Sequence, residues 1–405
     1  MSLKKKIGLV FVVFTAAAVC ELLTTIILGR TLPADEFGRF KFIHTIVIVL
    51  ASLLVFGQNI AIVRNVGKIS PERYNWRRYV GLCLLISAVC GLFGVVWLGH
   101  YYGLSGAIPF VYLACVSAVG IEYYSSVLRA HEEYNTSVIL SKIAPVVFFL
   151  GVLIIFYVLR RPQFSVILSV YAAVFLSALL FGVFASGKIE CGADPFPPGG
   201  VKDGVWLFLI SLCFVVMGRV DQFFIAKMLG YEALAGYAAV IAAARGFELV
   251  AMALWFVLMP HYSKGHSRSL KSDTLKAGLV AAVLVGIYLM GGRLLLHVFF
   301  GGKFDHVMYL MNLFIIIGFF QVMHTIPSGI IDGRASTRFL RIFFMCCLFG
   351  ILISIIGNAV LIPLWGLKGS AYSTMAAWAF RVVTAYIVVL KERNVTELTD
   401  TLPSC

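Results

Sequence analysis

The sequence predicts an all-α polytopic membrane protein with about twelve transmembrane helices in two parallel-repeat six-helix lobes. Three observations carry that expectation. The 405-residue chain is 61% hydrophobic and only 13% charged, with a mean hydropathy of +0.96, whereas a soluble domain carries about 25% charged residues. Its apolar runs continue for about 20 residues without alternating, which suits spanning helices and not barrel strands, and backbone groups in hydrocarbon must be satisfied internally. Finally, one short turn occurs twice. It reads Leu28-Gly29-Arg30 followed by Glu36-Phe37-Gly38-Arg39-Phe40, then Leu229-Gly230-Tyr231 followed by Leu234-Ala235-Gly236-Tyr237. A membrane protein of two similar halves is by default a transporter, because two bundles rocking about a shared axis expose one midplane site to each side in turn.

The first span, 7–29, follows Lys4-Lys5-Lys6 and ends on the first turn. Its basic start looks like a secretory signal and Ala17-Ala18-Val19-Cys20 like a lipoprotein cleavage site, but the run is too long for such a segment and continues as a spanning helix. Asp35-Glu36 lies in a connection too short to build a site and reads as the turn that opens the second span, 40–63. The third to sixth spans are 79–98, 108–128, 138–159 and 164–185. The longest polar connection follows, 186–203, with Pro195, Pro197, Pro198, Gly199 and Gly200, and its composition suits a hinge. It separates a lobe over 1–187 from one over 204–405, with 188–203 as a cytoplasmic linker. The seventh and eighth spans, 205–227 and 235–258, flank the second turn, and 277–298, 307–331, 339–362 and 369–390 complete the set. Six spans per half means that both halves enter from the same side, so their pseudo-twofold runs along the membrane normal.

Charge asymmetry tests the count, because Lys and Arg favour the cytoplasmic side. With the N-terminus inside, 21 Lys and Arg fall at inner ends, among them Arg73, Arg77, Arg78, Lys188, Lys264, Arg334, Arg338 and Lys391, against nine outside. Both termini are therefore placed in the cytoplasm. Trp97 and Trp365 near outer ends and Trp76, Trp206 and Trp255 near inner ends fit interfacial belts. The net charge of +14 is then a matter of topology and attraction to anionic membrane lipid, and not of nucleic-acid binding.

No sizeable polar domain with paired carboxylates is present to house an enzyme, and no catalytic residue is assigned. Nine cysteines include no CxxC pair and lie mostly within spans, where they read as small apolar filling and neither as disulfides nor as metal ligands.

Ionisable residues at membrane depth are costly and mark functional candidates. Glu21 precedes the first turn and Asp221 the second, at nearly equivalent depths. Such carboxylates suit binding of H⁺ or Na⁺ that drives the rocking motion; the alternative is pairing with a neighbouring helix. Arg245 and Glu248 share a helix face and neutralise one another, or Arg245 joins Arg219 and Arg381 in a place for phosphate, which guanidinium grips in bidentate fashion. By this reading the N-terminal half holds Glu21 and Glu122 uncompensated. Arg64, Arg129, Arg334 and Arg338 stand at cytoplasmic helix ends, either as anchors or as first contacts for an anionic headgroup. Gln58, Asn59, Asn312, Gln321, His324 and Asn358 line a cavity or bond between helices.

Several runs resemble the polysaccharide flippases of the multidrug/oligosaccharidyl-lipid/polysaccharide exporter superfamily, of the O-antigen translocase type. They are Gly218-Arg219-Val220-Asp221-Gln222 through Gly236-Tyr237-Ala238, Leu258-Met259-Pro260, and the most specific, Asn358-Ala359-Val360-Leu361-Ile362-Pro363-Leu364-Trp365-Gly366-Leu367-Lys368-Gly369-Ser370-Ala371. The likeness covers essentially the whole chain. It implies transfer of an undecaprenyl-pyrophosphate-linked oligosaccharide repeat unit across a bacterial inner membrane through a V-shaped cavity between two lobes. The pyrophosphate needs cationic groups, the sugars a wet cavity and the polyprenyl tail a lateral gap. A glycan polymerase and a chain-length regulator are the implied protein partners, and no cofactor is implied beyond H⁺ or Na⁺ in antiport. The resemblance places the coupling ion at Asp221, Asn358 and Thr374 and anionic substrate at Arg245. Two features depart from relatives: the chain lacks the two extra helices of lipid II flippases, and a second acidic ligand on the eleventh helix is absent.

Overall fold

The computed structural model describes residues 3–59, 62–63, 75–159, 163–194, 199–263, 270–334 and 337–401. Among them the chain forms helices joined by short turns, with no strand. Eleven described helices are long and apolar enough to cross a membrane, and a bent helix pair brings the number to twelve if it counts as one span. The chain divides into two compact units, Met1–Phe208 and Leu209–Cys405.

In the first unit, α1 (Leu3–Thr31) and α2 (Ala34–Leu54) are joined by the first copy of the repeated turn. Pro33, which lacks an N–H, immediately precedes α2, and Asp35 and Glu36 occupy its first turn, where the helix dipole favours carboxylates. Arg39 Nε holds Asp35 Oδ2 at 2.8 Å, so this acidic pair opens the helix. The expected second span over 40–63 stops instead at Leu54, because Phe56 and Gly57 turn the chain with φ of 48° and 68°. Neighbouring helices satisfy the carbonyls freed there. Ser87 of α3 (Trp76–Tyr101) donates to Leu54 O at 2.7 Å, and Tyr123 of α4 (Ile108–Ala130) donates to Val55 O at 3.1 Å. Each such bond contributes about 1 kcal/mol. α4 is the hub of this unit and packs against α2, α3, α5 (Tyr134–Leu153) and α6 (Phe164–Ser186), while α1 lies along α5.

The segment after α6 runs back along the start of α3. Trp76 Nε1 donates to Glu190 O at 3.1 Å, Arg77 Nη2 to Gly187 O at 2.8 Å, and Asn75 N to Asp194 O at 2.9 Å. Of the residues read as hinge, Pro195, Pro197 and Pro198 lie outside the described residues, and Gly199 and Gly200 already belong to α7 (Gly199–Met217).

The second unit takes up the end of α7, then α8 (Val220–Met228), α9 (Tyr231–Ala243), α10 (Gly246–Ser263), α11 (Leu270–Phe300), α12 (Met311–Arg334), α13 (Thr337–Trp365) and α14 (Leu367–Thr401). α12 packs on α10, α11 and α14, and α8 lies against α13 and α14. Ile210, Ile326, Ile330, Phe343 and Val388 are among the side chains of its apolar core. The antiparallel pair α13–α14 approaches closely enough that a Cβ at Gly369 would lie 2.1 Å from the Leu361 carbonyl oxygen.

The eighth span, read from sequence as continuous over 235–258, is broken between α9 and α10 and bends by 52°. A side chain from α11 causes the break. The hydroxyl of Tyr288 takes the Gly246 N–H at 3.1 Å in place of a helical carbonyl, and only glycine leaves room for it, since a Cβ there would meet the same hydroxyl at 2.4 Å. In the seventh span a two-residue turn at Gly218-Arg219 separates α7 from α8, while Phe208–Met228 still runs as one span of 21 residues.

Candidate functional site

The break between α7 and α8 places Asp221 in the first turn of a short helix, at the positive end of its dipole. Its side chain is only 3% exposed. Asp221 Oδ1 accepts the Gln222 backbone N–H at 2.8 Å, and Oδ2 accepts the Tyr237 hydroxyl at 2.7 Å and the Thr374 hydroxyl at 3.2 Å. Helices α8, α9 and α14 thus each contribute to one carboxylate. Arg219, half-buried at the break, acts on it through its charge. Among the described residues Asp221 has no ion-pair partner within 4.0 Å, so neutral donors carry most of its stabilisation.

From this carboxylate a hydrogen-bonded network continues between α13 and α14. The Tyr237 hydroxyl also faces Thr374 and Ser370. Ser370 Oγ donates to Asn358 Oδ1 at 2.8 Å, and Asn358 Nδ2 donates to Ser354 O at 2.7 Å and to Ser373 Oγ at 3.1 Å. Ser373 in turn donates to Ser354 O at 2.9 Å. All of these side chains are buried, and the close approach of α13 and α14 is what allows side chains as short as serine to span the gap. Buried polar groups are tolerated only when bonded in this way.

The structure therefore joins Asp221 directly to Thr374, and Asn358 stands near it by way of Ser370, which faces Tyr237. Tyr237, Ser370, Ser373 and Ser354 complete the network and were not singled out from sequence. Tyr237 could have been: it stands in the second copy of the repeated turn.

The basic candidates are dispersed. Arg245 sits at the break before α10, is 15% exposed, and places Nε 3.9 Å from Glu248 Oε2, a carboxylate that is 49% exposed. Arg381, 4% exposed, donates from Nε to His324 Nε2 at 3.0 Å and is closed in by Phe214, Phe343 and Trp378, with the Phe214 ring 4.7 Å away. Its surroundings are those of a packed aromatic box. Arg129 is exposed at the end of α4, Arg338 is exposed on α13, Arg64 lies outside the described residues, and so does the side chain of Arg334.

Glu21, in the first unit, is in different company. Its Oε1 lies 3.7 Å from His44 Nε2, His44 Nδ1 lies 2.9 Å from the Tyr171 hydroxyl, and Lys41 Nζ donates to Thr25 Oγ1 at 2.6 Å one turn along α1. The sequence-based expectation that Glu21 stands without a basic neighbour is thus corrected, because α2 brings His44 beside it and Lys41 to Thr25, one turn away. Glu122 is exposed and accepts from Asn59 Nδ2 at 3.4 Å. Among the described residues no three His, Cys, Asp or Glu side chains stand together as metal ligands.

No protein-family model matches the chain. A stretch of 174 residues, 41% of the chain, is 25% identical to an uncharacterized membrane protein of Methanocaldococcus jannaschii and spans 40% of that relative's length. Solved structures match far more of the chain. A transporter of the multidrug/oligosaccharidyl-lipid/polysaccharide (MOP) superfamily from Pyrococcus furiosus superposes with a TM-score of 0.66 at 14% identity, covering 96% of both chains. An inward-facing multidrug resistance transporter of the MATE family gives 0.65 at 14%, over 95% and 96%. The lipid II flippase MurJ gives 0.66 at 13%, over 94% of this chain and 87% of its own. The chain therefore shares the fold of MOP superfamily transporters.

Proposed function

We propose that this protein is a flippase that carries an undecaprenyl-pyrophosphate-linked oligosaccharide repeat unit from the inner to the outer leaflet of the bacterial cytoplasmic membrane. It works by alternating access with both termini in the cytoplasm, and performs no covalent chemistry. Uptake of H⁺ or Na⁺ at Asp221, with Thr374 and Asn358 in the same network, drives the cycle. The observation that carries this reading is a buried carboxylate at the start of a broken helix, surrounded by neutral hydroxyls from other helices. A group of that kind changes charge when an ion binds, and discontinuous helices are where transporters hold ions and substrates.

For the substrate, support comes from the resemblance of the Asn358-to-Ala371 run to polysaccharide flippases and from Arg219 and Arg245, which stand at the two helix breaks where anionic groups would be held. A glycan polymerase and a chain-length regulator would act downstream on the outer leaflet. The second reading, a cation-coupled multidrug exporter, is favoured by the match to MATE-family structures and needs the same acidic site but no arginine dedicated to phosphate.

Deleting the gene and labelling each leaflet selectively tests the proposal. An undecaprenyl-linked oligosaccharide should accumulate on the cytoplasmic face while surface polysaccharide disappears, and restoring the protein should reverse both. Normal arrival of the lipid-linked unit at the outer leaflet would sink the flippase reading, and loss of drug efflux instead would support the exporter.

A further inference from the structure

We propose that Glu122 and Asn59 form a binding site for the sugar hydroxyls of the carried oligosaccharide. This rests on the reading above, that the cargo is a lipid-linked glycan, and names the part of the first unit that holds its sugars. Glu122 stands on α4, the hub helix, which is covered by α2, α3, α5 and α6 over most of its surface. Where the outer helices of this unit are uncovered they show apolar side chains, such as Leu85, Val89 and Phe93 on α3 and Val183 and Phe184 on α6, as suits contact with lipid. On α4 from Ala118 onwards, the exposed positions are instead Glu122 and, two turns later, Arg129. At 1.5 Å per residue Glu122 lies about 12 Å inside the Ala130 end of this helix. A carboxylate exposed at that depth faces water and not hydrocarbon, and such water-lined faces mark the paths of polar cargo.

The end of α2 is shaped to bring Asn59 to this carboxylate, and Asn59 Nδ2 donates to Glu122 Oε2 at 3.4 Å. α2 stops at Leu54, and Phe56 takes a φ of 48°, a conformation costly to a bulky side chain. Burial does not hold Phe56 there, since it is 43% exposed. Hydrogen bonds from neighbouring side chains do. Tyr123, adjacent to Glu122 on α4, donates to Val55 O at 3.1 Å, and Ser87 donates to Leu54 O at 2.7 Å. Beyond the turn, Gln58 Nε2 donates to Phe56 O at 3.1 Å, and Gln58 Oε1 accepts the Tyr79 hydroxyl. The turn is thus tied to the residue beside Glu122, and Asn59 follows directly from it. Strain maintained in this way by its surroundings clusters where ligands are held.

A carboxylate and an amide side by side offer acceptors and donors together. Sugar hydroxyls need both, because each gives one hydrogen bond and accepts others. The Asn59–Glu122 bond is long for an N–H to oxygen contact. A hydroxyl that accepts from Asn59 and donates to Glu122 replaces it with two bonds of ordinary length, and the other Glu122 oxygen is left for a neighbouring hydroxyl. The negative charge of Glu122 repels pyrophosphate, so this place suits the sugar end of the cargo. A site that bonds hydroxyls discriminates against a ligand that lacks them.

The test uses the purified full-length protein in detergent and two probes, undecaprenyl pyrophosphate and the lipid-linked oligosaccharide extracted from cells that make this protein, with binding followed by titration calorimetry. Wild type should bind the glycosylated lipid about tenfold or more tighter than the bare one. Glu122→Ala and Asn59→Ala should each abolish that preference and leave affinity for undecaprenyl pyrophosphate as it was, while Leu85→Ala on the apolar face of α3 should behave as wild type. Preference retained in Glu122→Ala would overturn the inference, even if Asn59→Ala did not fold. So would an equal weakening of both probes by Glu122→Ala, which would give the residue a structural role. If wild type binds both lipids equally, the flippase reading stands and the sugar site falls. Binding of neither lipid by wild type would instead remove the flippase reading, and with it this inference.

Discussion

The two units carry the same turn and an acidic residue shortly before it, yet the two carboxylates have opposite surroundings. Asp221 is almost wholly buried among neutral hydroxyls, whereas Glu21 is 30% exposed and has His44 beside it, with Lys41 one helical turn away. A carboxylate with a histidine beside it and a lysine one turn away has less to gain from a further cation than one without such neighbours. One bonded to neutral donors in an apolar interior, with Arg219 acting on it only from the helix break, changes its electrostatic balance far more when an ion arrives. The repeat therefore fixes where an acidic group stands, and its neighbours decide what that group can do.

The largest effect that would break or confirm the contrast is at Asp221. Asp221→Asn keeps the shape of the side chain and removes its charge, so ion-driven translocation in proteoliposomes should be lost while membrane insertion and yield stay unchanged. Transport that survives this change would place coupling elsewhere and dissolve the distinction between the two units.

Arg245→Ala comes next. Guanidinium contacts to an anion are worth about 1.5–3 kcal/mol, so translocation of a pyrophosphate-linked substrate should fall about tenfold or more, with insertion little affected. Equal loss of translocation and insertion would mean that Arg245 serves the bend between α9 and α10 and its contact to Glu248.

Asn358→Leu probes the part of the network furthest from the carboxylate. It removes the acceptor of the fully buried Ser370 hydroxyl and one donor to Ser373, which keeps its own bond to Ser354 O, and an unsatisfied buried group costs about 1–3 kcal/mol. Thermal unfolding in detergent should shift down accordingly. An unchanged midpoint would mean that the serines find other partners and that the α13–α14 contact is held by apolar packing alone.

Much of the architecture was legible because long apolar runs and turn residues are local signals. The helix that opens at Asp35-Glu36 and the tight link between α13 and α14 at Gly366 follow from residues adjacent in sequence. The breaks within the seventh and eighth spans were not legible, because the second of them is made by Tyr288, which reaches Gly246 from α11. The site divided in the same way. Asp221, Asn358 and Thr374 stood out as polar residues in apolar helices or by resemblance, whereas the repeated turn drew the eye to Tyr237 without a role, which it acquires only where α9 folds back against α8. Arg381 shows the converse: an arginine in a span suggests an anion site, and only the tertiary packing of Phe214, His324, Phe343 and Trp378 places it in an aromatic box.

The smallest expected effect falls on Glu21. Glu21→Gln keeps the hydrogen-bonding shape, leaves the Lys41–Thr25 bond and the His44–Tyr171 contact in place, and removes a partly exposed charge that has His44 beside it. A half-exposed ion pair of this sort is worth about 0–1 kcal/mol, so translocation should stay within about fivefold of wild type, with the same response to a pH gradient. Lys41→Met with Glu21 retained sharpens the point, because it strips one compensating charge and makes the first unit more like the second. If that variant acquires a new dependence of transport on pH that Glu21→Gln then abolishes, the difference between the two carboxylates lies in their basic neighbours and not in their places in the repeat.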